Sequence, residues 1–391
     1  MRVRPVRTGL LLLTACVAGW PVSAQCPDGQ ENRTVFGQRQ TPSRTFTASG
    51  SLPVGSQQDR MRYFRLELRR EPDSTANGLL IVKDDDLRVV DVLRLADLPV
   101  GSSVWSRRGV GNRASLRFAV PPGETPRVTV VRTIAMPVTA DGPTYYSLQI
   151  EGLAAYRPVY PSSEHPPGSS ARARLLADSV GFVQASHVGG EQSWCCSAVA
   201  VGADLILTNW HCGGDASMLP DDYWDEDVCS QTLIDMSWDG DGTSREFQCE
   251  RVVADRRLDL ALLRVKPVGE AQPLVPVEFA AGDSPVDHVD LVHHPACKAK
   301  QVTENCAILA LGPDAASLAT EFTHDCDAEQ GSSGAPLFAA GGNRPLLVGL
   351  HHAGFRRDPA DCAPLDRVNR GVRLPELRQF IADAQARLVQ P

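Results

Sequence analysis

Short alternations of apolar and polar residues, separated by turn-forming residues, run through the first part of the chain. They fall at residues 63–68, 79–82, 115–120, 128–131 and 145–150. Side chains of a strand point alternately to its two faces, so this period of two is typical of strands with one face on a core. Proline and glycine pairs lie between the runs. The spacing predicts a small antiparallel β-sandwich over residues 25–156.

A second set of apolar runs begins after residue 175. Residues 180–185 are predicted as its first strand, and 205–207 and 258–263 are further apolar runs. Helical periodicity is weak until residues 375–388. The predicted fold class is therefore all-β, and residues 175–391 fit two antiparallel β-barrels closed by a C-terminal helix.

Residues 157–174 separate the two regions. The first fourteen of them are rich in proline, serine and glycine, a composition that keeps a segment extended and predicts an interdomain linker. Arg172 and Arg174 follow directly and form a basic site at which a propeptide could be clipped. The N-terminal sandwich is thus either a pro-domain or an accessory domain.

The first 24 residues carry three arginines, a short apolar core and the small-residue sequence V-S-A. This pattern predicts a secretory signal peptide, because the apolar stretch is too short to span a bilayer. A competing hypothesis is a lipoprotein cleavage box that would leave a lipidated Cys16. The rest of the sequence holds no stretch apolar enough to cross a membrane.

Composition narrows the function. The chain has 391 residues with 42% hydrophobic and 22% charged residues, enough for two packed domains, and its net charge of -8 argues against binding to nucleic acid. Of eleven cysteines, removal of Cys16 leaves an even ten, as expected for an exported, oxidised protein. No Cys-x-x-Cys pair supports a metal site, and no cofactor is expected. A monomer that acts on protein or peptide substrates is the expectation.

Ser333 is the candidate nucleophile. Gly331 and Gly334 flank it closely enough for a tight turn, so that the N–H groups of Gly331 and Ser333 could converge on an oxyanion. His211 follows an apolar strand and would serve as the base. Asp259 lies alone inside an apolar run and would accept a hydrogen bond that fixes the tautomer of the base.

These residues stand in the blocks T-N-W-H-C, D-L-A-L-L and G-S-S-G-A-P. The blocks resemble those of chymotrypsin-like serine endopeptidases, and the G-x-S-G-x-P form resembles the bacterial lysyl and glutamyl endopeptidases. The likeness covers about residues 175 to 385. It implies a secreted serine endopeptidase with His211, Asp259 and Ser333 in the cleft between two barrels. Ser332 stands where the digestive enzymes have an aspartate that binds a new N-terminus, so that activation switch is absent.

The resemblance also implies two disulfides, Cys195 or Cys196 with Cys212, and Cys326 with Cys362. Closeness in sequence suggests two more, Cys229 with Cys249 and Cys297 with Cys306. Cys26 would then pair with whichever of Cys195 and Cys196 remains, tying the N-terminal region to the catalytic domain.

Specificity is left with three candidates. Asp327 matches the pocket-floor carboxylate of trypsin-like enzymes and Asp366 the position used by lysyl endopeptidases, and both favour a basic side chain. His351 matches the histidine with which glutamyl endopeptidases bind an acidic one. Two of the three candidates favour a basic substrate side chain, which is therefore the predicted specificity. A different class remains open, a secreted binding or adhesion protein that keeps the fold without turnover.

Overall fold

The structure is a computed structural model. It describes residues 35–40, 42–54, 61–137, 156–160, 170–187, 192–214, 218–239, 245–269, 273–281, 286–311, 319–341, 344–354 and 368–389. Several predictions lie outside the described residues: the signal peptide, Cys16, Cys26, the strand at 145–150, most of the linker, Cys362 and Asp366. No helix in the described ranges is long and apolar enough to span a membrane.

A β-sandwich forms the N-terminal part. Its strands are β1 Val35–Gln40, β2 Arg44–Phe46, β3 Gly50–Pro53, β4 Met61–Arg70, β5 Leu79–Lys83, β6 Val89–Arg94, β7 Val104–Trp105, β8 Arg113–Ala119 and β9 Val128–Pro137. The order β3-β8-β5-β6 makes one sheet, and β4 pairs with β9 and β7 in the other. Phe64, Leu66 and Leu68 of β4 are buried in one core with Leu80 and Val82 of β5. The predicted sandwich is confirmed.

The first barrel has six antiparallel strands. They are β11 Val180–Ala185, β12 Gln192–Ala200, β13 Leu205–Thr208, β14 Leu233–Asp235, β15 Glu246–Asp255 and β16 Leu260–Pro267. The order β11-β14-β15-β16-β13-β12 closes because β12 also pairs with β11. Successive side chains of β13 point to opposite faces, as expected for a strand. Ile206 lies in the core of the first barrel, whereas Leu205 and Leu207 belong to the cluster that contacts the second barrel.

The second barrel closes in the same way. Its strands are β18 His288–His293, β19 Gln301–Leu311, β20 Glu321–His324, β21 Pro336–Ala339, β22 Leu346–Ala353 and β23 Asn369–Arg373. The short β17 Glu278–Phe279 adds to β22, and β19 pairs with β20 to close the ring. Helix α3, Leu374–Val389, packs Leu377, Phe380 and Ile381 into the cluster between the barrels. The all-β fold with two barrels and a C-terminal helix is confirmed.

The sandwich is joined to the first barrel by strand pairing and by buried charges. Strand β1 pairs with β12 on one side and with β9 on the other, so the sheet continues from barrel to sandwich. Beside it, the fully buried Arg65 forms an ion pair with Glu246 and lies 3.6 Å from the carboxylate of Asp235. Arg108 donates to the same Asp235 at 2.8 Å.

Both described ends of the predicted linker pack against the second barrel. Strand β10, Arg157–Pro158, pairs with β19, and Val159 is fully buried. Helix α1, Ala171–Ala177, is capped at its N-terminus by Ser170, whose hydroxyl accepts the N–H of Ala173 at 3.1 Å. The proposed cleavage site at Arg172 and Arg174 therefore lies on a helix, which differs from the extended, accessible segment expected from composition.

Four disulfides occur among the described residues: Cys195–Cys297, Cys196–Cys212, Cys229–Cys249 and Cys306–Cys326. Three predicted pairings are wrong, namely Cys326 with Cys362, Cys297 with Cys306, and Cys26 with the remaining cysteine of the Cys195–Cys196 pair.

The reasons for these pairings are geometric. Cys195 and Cys196 are consecutive on β12, so one points into the first barrel and the other toward the second. Cys306 faces Cys326 because β19 and β20 are antiparallel, with Ile308 opposite His324. Helix α2, Glu226–Gln231, carries Cys229 and packs against β15, which carries Cys249.

Candidate active site

His211 and Asp259 are brought together by the pairing of two strands. Strand β13 ends at Thr208 and is followed by a 3₁₀ turn, Trp210–Gly213, that contains His211. Asp259 directly precedes β16. Because Thr208 lies opposite Ala261 in the antiparallel pair, the residues just beyond these two strand ends meet at the same edge.

The imidazole of His211 is held by both oxygens of Asp259. Nδ1 lies 2.8 Å from Oδ2 and 3.0 Å from Oδ1, and the backbone N–H of His211 donates to Oδ1 at 3.0 Å. Burial alone would raise the pKa of Asp259, but the charge and hydrogen bonds of His211, together with His352, hold that pKa well below its usual value. An ionised carboxylate only accepts, so Nδ1 carries the proton and Nε2 remains free as a base.

The backbone of Asp259 is held in an uncommon conformation. Its φ of +53° lies in the left-handed region, which costs a non-glycine residue on the order of 1 kcal/mol. The side-chain amide of Asn209 donates to the carbonyl of Asp259 at 2.8 Å, and the indole N–H of Trp224 donates to the carbonyl of Asn209 at 3.2 Å. These bonds fix the turn that presents the carboxylate.

Two glycines shape the turn around Ser333. Gly331 and Gly334 have φ values of +93° and +82°. A Cβ at Gly331 would lie 2.6 Å from the carbonyl oxygen of His294, and one at Gly334 would lie 2.2 Å from that of Ser197. Any side chain at either position would push this turn out of its place between the barrels.

Ser333 lies against the first barrel. The N–H of Ser197 on β12 donates to the carbonyl of Ser333 at 2.8 Å. Sγ of Cys212, the neighbour of His211 in sequence, lies 4.0 Å from the same carbonyl. The side chain of Ser333 is half-buried. The backbone of the Ser333 turn therefore meets the first barrel close to the residue that follows His211.

The amides expected to form an oxyanion hole are free of other acceptors. No described residue accepts a hydrogen bond from the N–H of Gly331 or of Ser333. The neighbouring amides are engaged, since Ser332 N–H donates to Glu329 and Gly334 N–H donates to His351, both at 2.9 Å. Two N–H groups without an acceptor among the described residues are compatible with the oxyanion hole that the sequence predicts.

Ser332 anchors the loop in place of the aspartate that digestive enzymes have. It is fully buried, and its hydroxyl lies 2.8 Å from Nδ1 of His293 and accepts the N–H of Glu329 at 3.1 Å. Burial lowers the pKa of His293 well below its usual value, so this histidine is neutral. The loop is held from within the second barrel, without a charge from a new N-terminus.

The described specificity candidates surround the Ser333 loop. Asp327 lies in the loop that leads to Ser333; it is 4% exposed and its carbonyl accepts the hydroxyl of Thr303 at 3.0 Å. His351 N–H donates to the carbonyl of Ala335, two residues after Ser333, at 2.8 Å. Nδ1 of His351 lies 3.2 Å from Nε2 of His324, and burial lowers the pKa of both histidines, that of His324 to about 3.

Two residues near Asp259 were missed by sequence reasoning. His352 places Nδ1 3.2 Å from Oδ2 of Asp259 and Nε2 3.2 Å from Oε1 of Glu321. A signal was available, because His352 follows His351 at the end of an apolar strand, where two consecutive histidines are unusual.

A metal site at His211 is the other arrangement that its surroundings suggest. His211, Cys196 and Cys212 place their ligand atoms within 4.8 Å of one another. The two sulfurs are joined to each other as a disulfide, so neither is a thiolate. The imidazole of His211 is then the one remaining ligand of the three, which is too few for a metal site. His211 is therefore considered as a base.

Two closed antiparallel barrels with this loop arrangement define a chymotrypsin-like fold. Residues 196–350 match the family model described as the trypsin-like peptidase domain. No curated protein matches the sequence. Among solved structures, the active form of the Rv3671c protease from M. tuberculosis is similar at 17% identity and a TM-score of 0.39, over 54% of this chain and 83% of that one.

Proposed function

We propose that the protein is an exported serine endopeptidase with the triad Ser333, His211 and Asp259. The observation that carries the proposal is the buried His211–Asp259 pair, with Nδ1 2.8 Å from Oδ2, together with a tight turn at Ser333 that needs the positive φ of Gly331 and Gly334. The trypsin-like peptidase match over residues 196–350 agrees with this chemistry.

The reaction would proceed in two steps. Ser333 Oγ attacks the scissile carbonyl while Nε2 of His211 takes its proton, and the Gly331 and Ser333 amides stabilise the oxyanion. The C–N bond breaks as His211 returns the proton to the leaving amine, which leaves an acyl-enzyme on Ser333. Water then adds with His211 again as base, and the acid product is released.

Four disulfides support an oxidising compartment, either the periplasm or the exterior. We infer a signal peptide over residues 1–24, with a lipid anchor at Cys16 as the alternative. The domains would be the sandwich over 25–156, the connecting segment 157–174 and the protease over 175–391. Because β1 and the buried charges join sandwich to barrel, we propose that the sandwich stays attached as an accessory domain.

For specificity we propose a basic residue before the scissile bond, bound by the carboxylate of Asp327 with Asp366 as the second candidate. The alternative is an acidic residue bound by His351, whose neutral imidazole could donate one hydrogen bond to a carboxylate.

A mixed peptide library incubated with the purified protein and with Ser333→Ala, with products identified by mass spectrometry, tests the function and its specificity together. We expect cuts after lysine or arginine that are lost in Ser333→Ala and weakened in Asp327→Asn. Cuts after glutamate that are lost in His351→Gln would show that His351, and not Asp327, binds the side chain before the scissile bond. Absence of cuts by the wild-type protein, at any pH from 5 to 10, would support a binding protein instead.

A further inference from the structure

His352, in the second barrel, lies between two carboxylates, one from each barrel. Its two ring nitrogens are each 3.2 Å from a carboxylate oxygen, Nδ1 from Asp259 and Nε2 from Glu321. All three side chains are buried, at 3%, 3% and 8% exposure. Strand β22 carries His352, which reaches Asp259 of the first barrel from the second, and strand β20 carries Glu321, which contacts the other ring nitrogen of His352.

The contacts indicate that His352 is an imidazolium. A neutral imidazole has one donor, whereas Nδ1 of His352 is hydrogen-bonded to Asp259 and Nε2 lies at ion-pair distance from Glu321. Burial opposes the charge, but the hydrogen bonds and charges of Asp259 and Glu321 outweigh it and raise the pKa of His352 to about 9. His324 and His351 lie near it and are kept neutral by burial, and Arg370 on the neighbouring strand β23 donates to the carbonyl of Gly354 at 3.1 Å.

We propose that His352 is a positioning residue of the triad, a buried cation that shares Asp259 with His211 while Glu321 balances its charge. This inference rests on the proposed function. Asp259, His352 and Glu321 together carry one net negative charge, which is the charge that His211 needs when it becomes an imidazolium. His352 would set both the orientation of the Asp259 carboxylate and the net charge that faces His211.

The pH dependence of peptide hydrolysis tests the proposal. His352→Gln keeps a neutral donor toward Asp259 and removes the cation, so the negative charge that faces a protonated His211 is larger. We expect the acid limb of the kcat/KM profile to move up by about half to one pH unit, with KM at the optimum nearly unchanged. Glu321→Gln leaves the cation unbalanced and should move the same limb down.

His324→Gln is the matched control, because it replaces a buried histidine that is neutral and has no contact with Asp259. We expect its acid limb to stay in place. Unfolding midpoints of all three variants establish that they are folded. If His352→Gln and Glu321→Gln are both folded and both leave the limb unmoved, His352 is a structural residue and the proposal is wrong.

A second measurement separates this proposal from the proposed function. An NMR spectrum of the His211 ring in the wild-type protein and in His352→Gln requires no turnover. We expect the resonance of the Nδ1 proton, which faces Asp259, to differ between these two proteins. A protein that shows this difference but cuts no peptide would retain the coupling while the proposed endopeptidase function fails. Equal resonances in both would overturn the coupling itself.

Discussion

Asp259 is contacted by more side chains of the candidate site than its sequence motif predicts. Both of its oxygens face His211, its carbonyl accepts from Asn209, and His352 approaches Oδ2 from the second barrel. Its orientation therefore depends on two barrels and a strained backbone. The identity of this one side chain should matter for catalysis more than for stability.

The first prediction concerns Asp259→Asn. An amide can present an N–H to Nδ1 and favour the wrong tautomer of His211, so we expect kcat to fall by about 10³- to 10⁴-fold with KM little changed. Steady-state kinetics measure both constants. Asp255→Asn, in the same turn but hydrogen-bonded to backbone N–H groups instead, should retain nearly full activity. A loss smaller than tenfold in Asp259→Asn would contradict the assigned role.

The charge on His352 should also appear in the pH dependence of stability. Its pKa is raised from 6.5 to about 9, so the stabilisation is complete below pH 6.5 and is lost as pH rises through about 9. The difference in unfolding free energy between wild type and His352→Gln should shrink by about 3 kcal/mol over that range. Urea unfolding at pH 6, 8 and 10 measures it. A difference that stays constant would mean that His352 is not charged in the fold.

The sequence identifies His211, Asp259 and Ser333 because each stands in a local motif. It does not identify the His293–Ser332 contact or the His352–Asp259 contact, because these join residues 39 and 93 positions apart. Contacts of this kind depend on how strands are ordered in the barrels, and no local pattern carries that information.

Strands were predictable from alternation, and their pairing was not. The run at 205–207 is predicted as a strand because it is continuously apolar, and the structure gives the reason for that composition: its residues serve two cores, one on each face. The disulfides show the limit of such reasoning. Closeness in sequence suggested Cys297 with Cys306, whereas strand register sets Cys306 opposite Cys326 and leaves Cys297 near Cys195.

The Cys195–Cys297 disulfide joins the two barrels beneath the Ser333 turn. A Cβ at Gly331 would lie 2.9 Å from Sγ of Cys195, so the bond is part of the floor of the candidate oxyanion hole. We expect the double substitution to alanine to lower kcat more than tenfold and to cost on the order of 4 kcal/mol of stability.

The Cys229–Cys249 disulfide provides the control, because it joins α2 to β15 within the first barrel. Its removal should also destabilise the protein, by about 3 kcal/mol, but should leave kcat within twofold once the protein is folded. Equal effects of the two double variants on kcat would show that the inter-barrel bond has no particular role at the site.

At the scale of the whole molecule, one face of strand β4 forms an interface between the sandwich and the first barrel. From its polar sequence, this face would be predicted to be exposed to solvent. In β4, Arg65 and Glu67 occupy the polar positions between apolar ones, yet they are 0% and 3% exposed. The first barrel covers that face with Glu246 and Asp235. Alternation predicts the strands of the sandwich, but it cannot tell a face that meets solvent from a face that meets a polar interface.

We predict that Arg65→Ala destabilises the protein by about 3 to 5 kcal/mol, because it leaves the buried carboxylates of Glu246 and Asp235 without their shared partner. Lys266→Ala, which removes one half of an exposed ion pair with Glu250, should cost less than about 1 kcal/mol. Denaturant unfolding followed by tryptophan fluorescence compares the two. Similar small losses would indicate that the sandwich and barrel are only loosely associated.

The central claim is that Ser333 is an activated nucleophile, and a fluorophosphonate probe tests it most directly. The wild-type protein is labelled at neutral pH, digested, and the modified residue is located by mass spectrometry. We predict one adduct, on Ser333, that is absent from Ser333→Ala and formed far more slowly in Asp259→Asn. An adduct on Ser332 or elsewhere, or no adduct on the folded wild-type protein, would contradict the account.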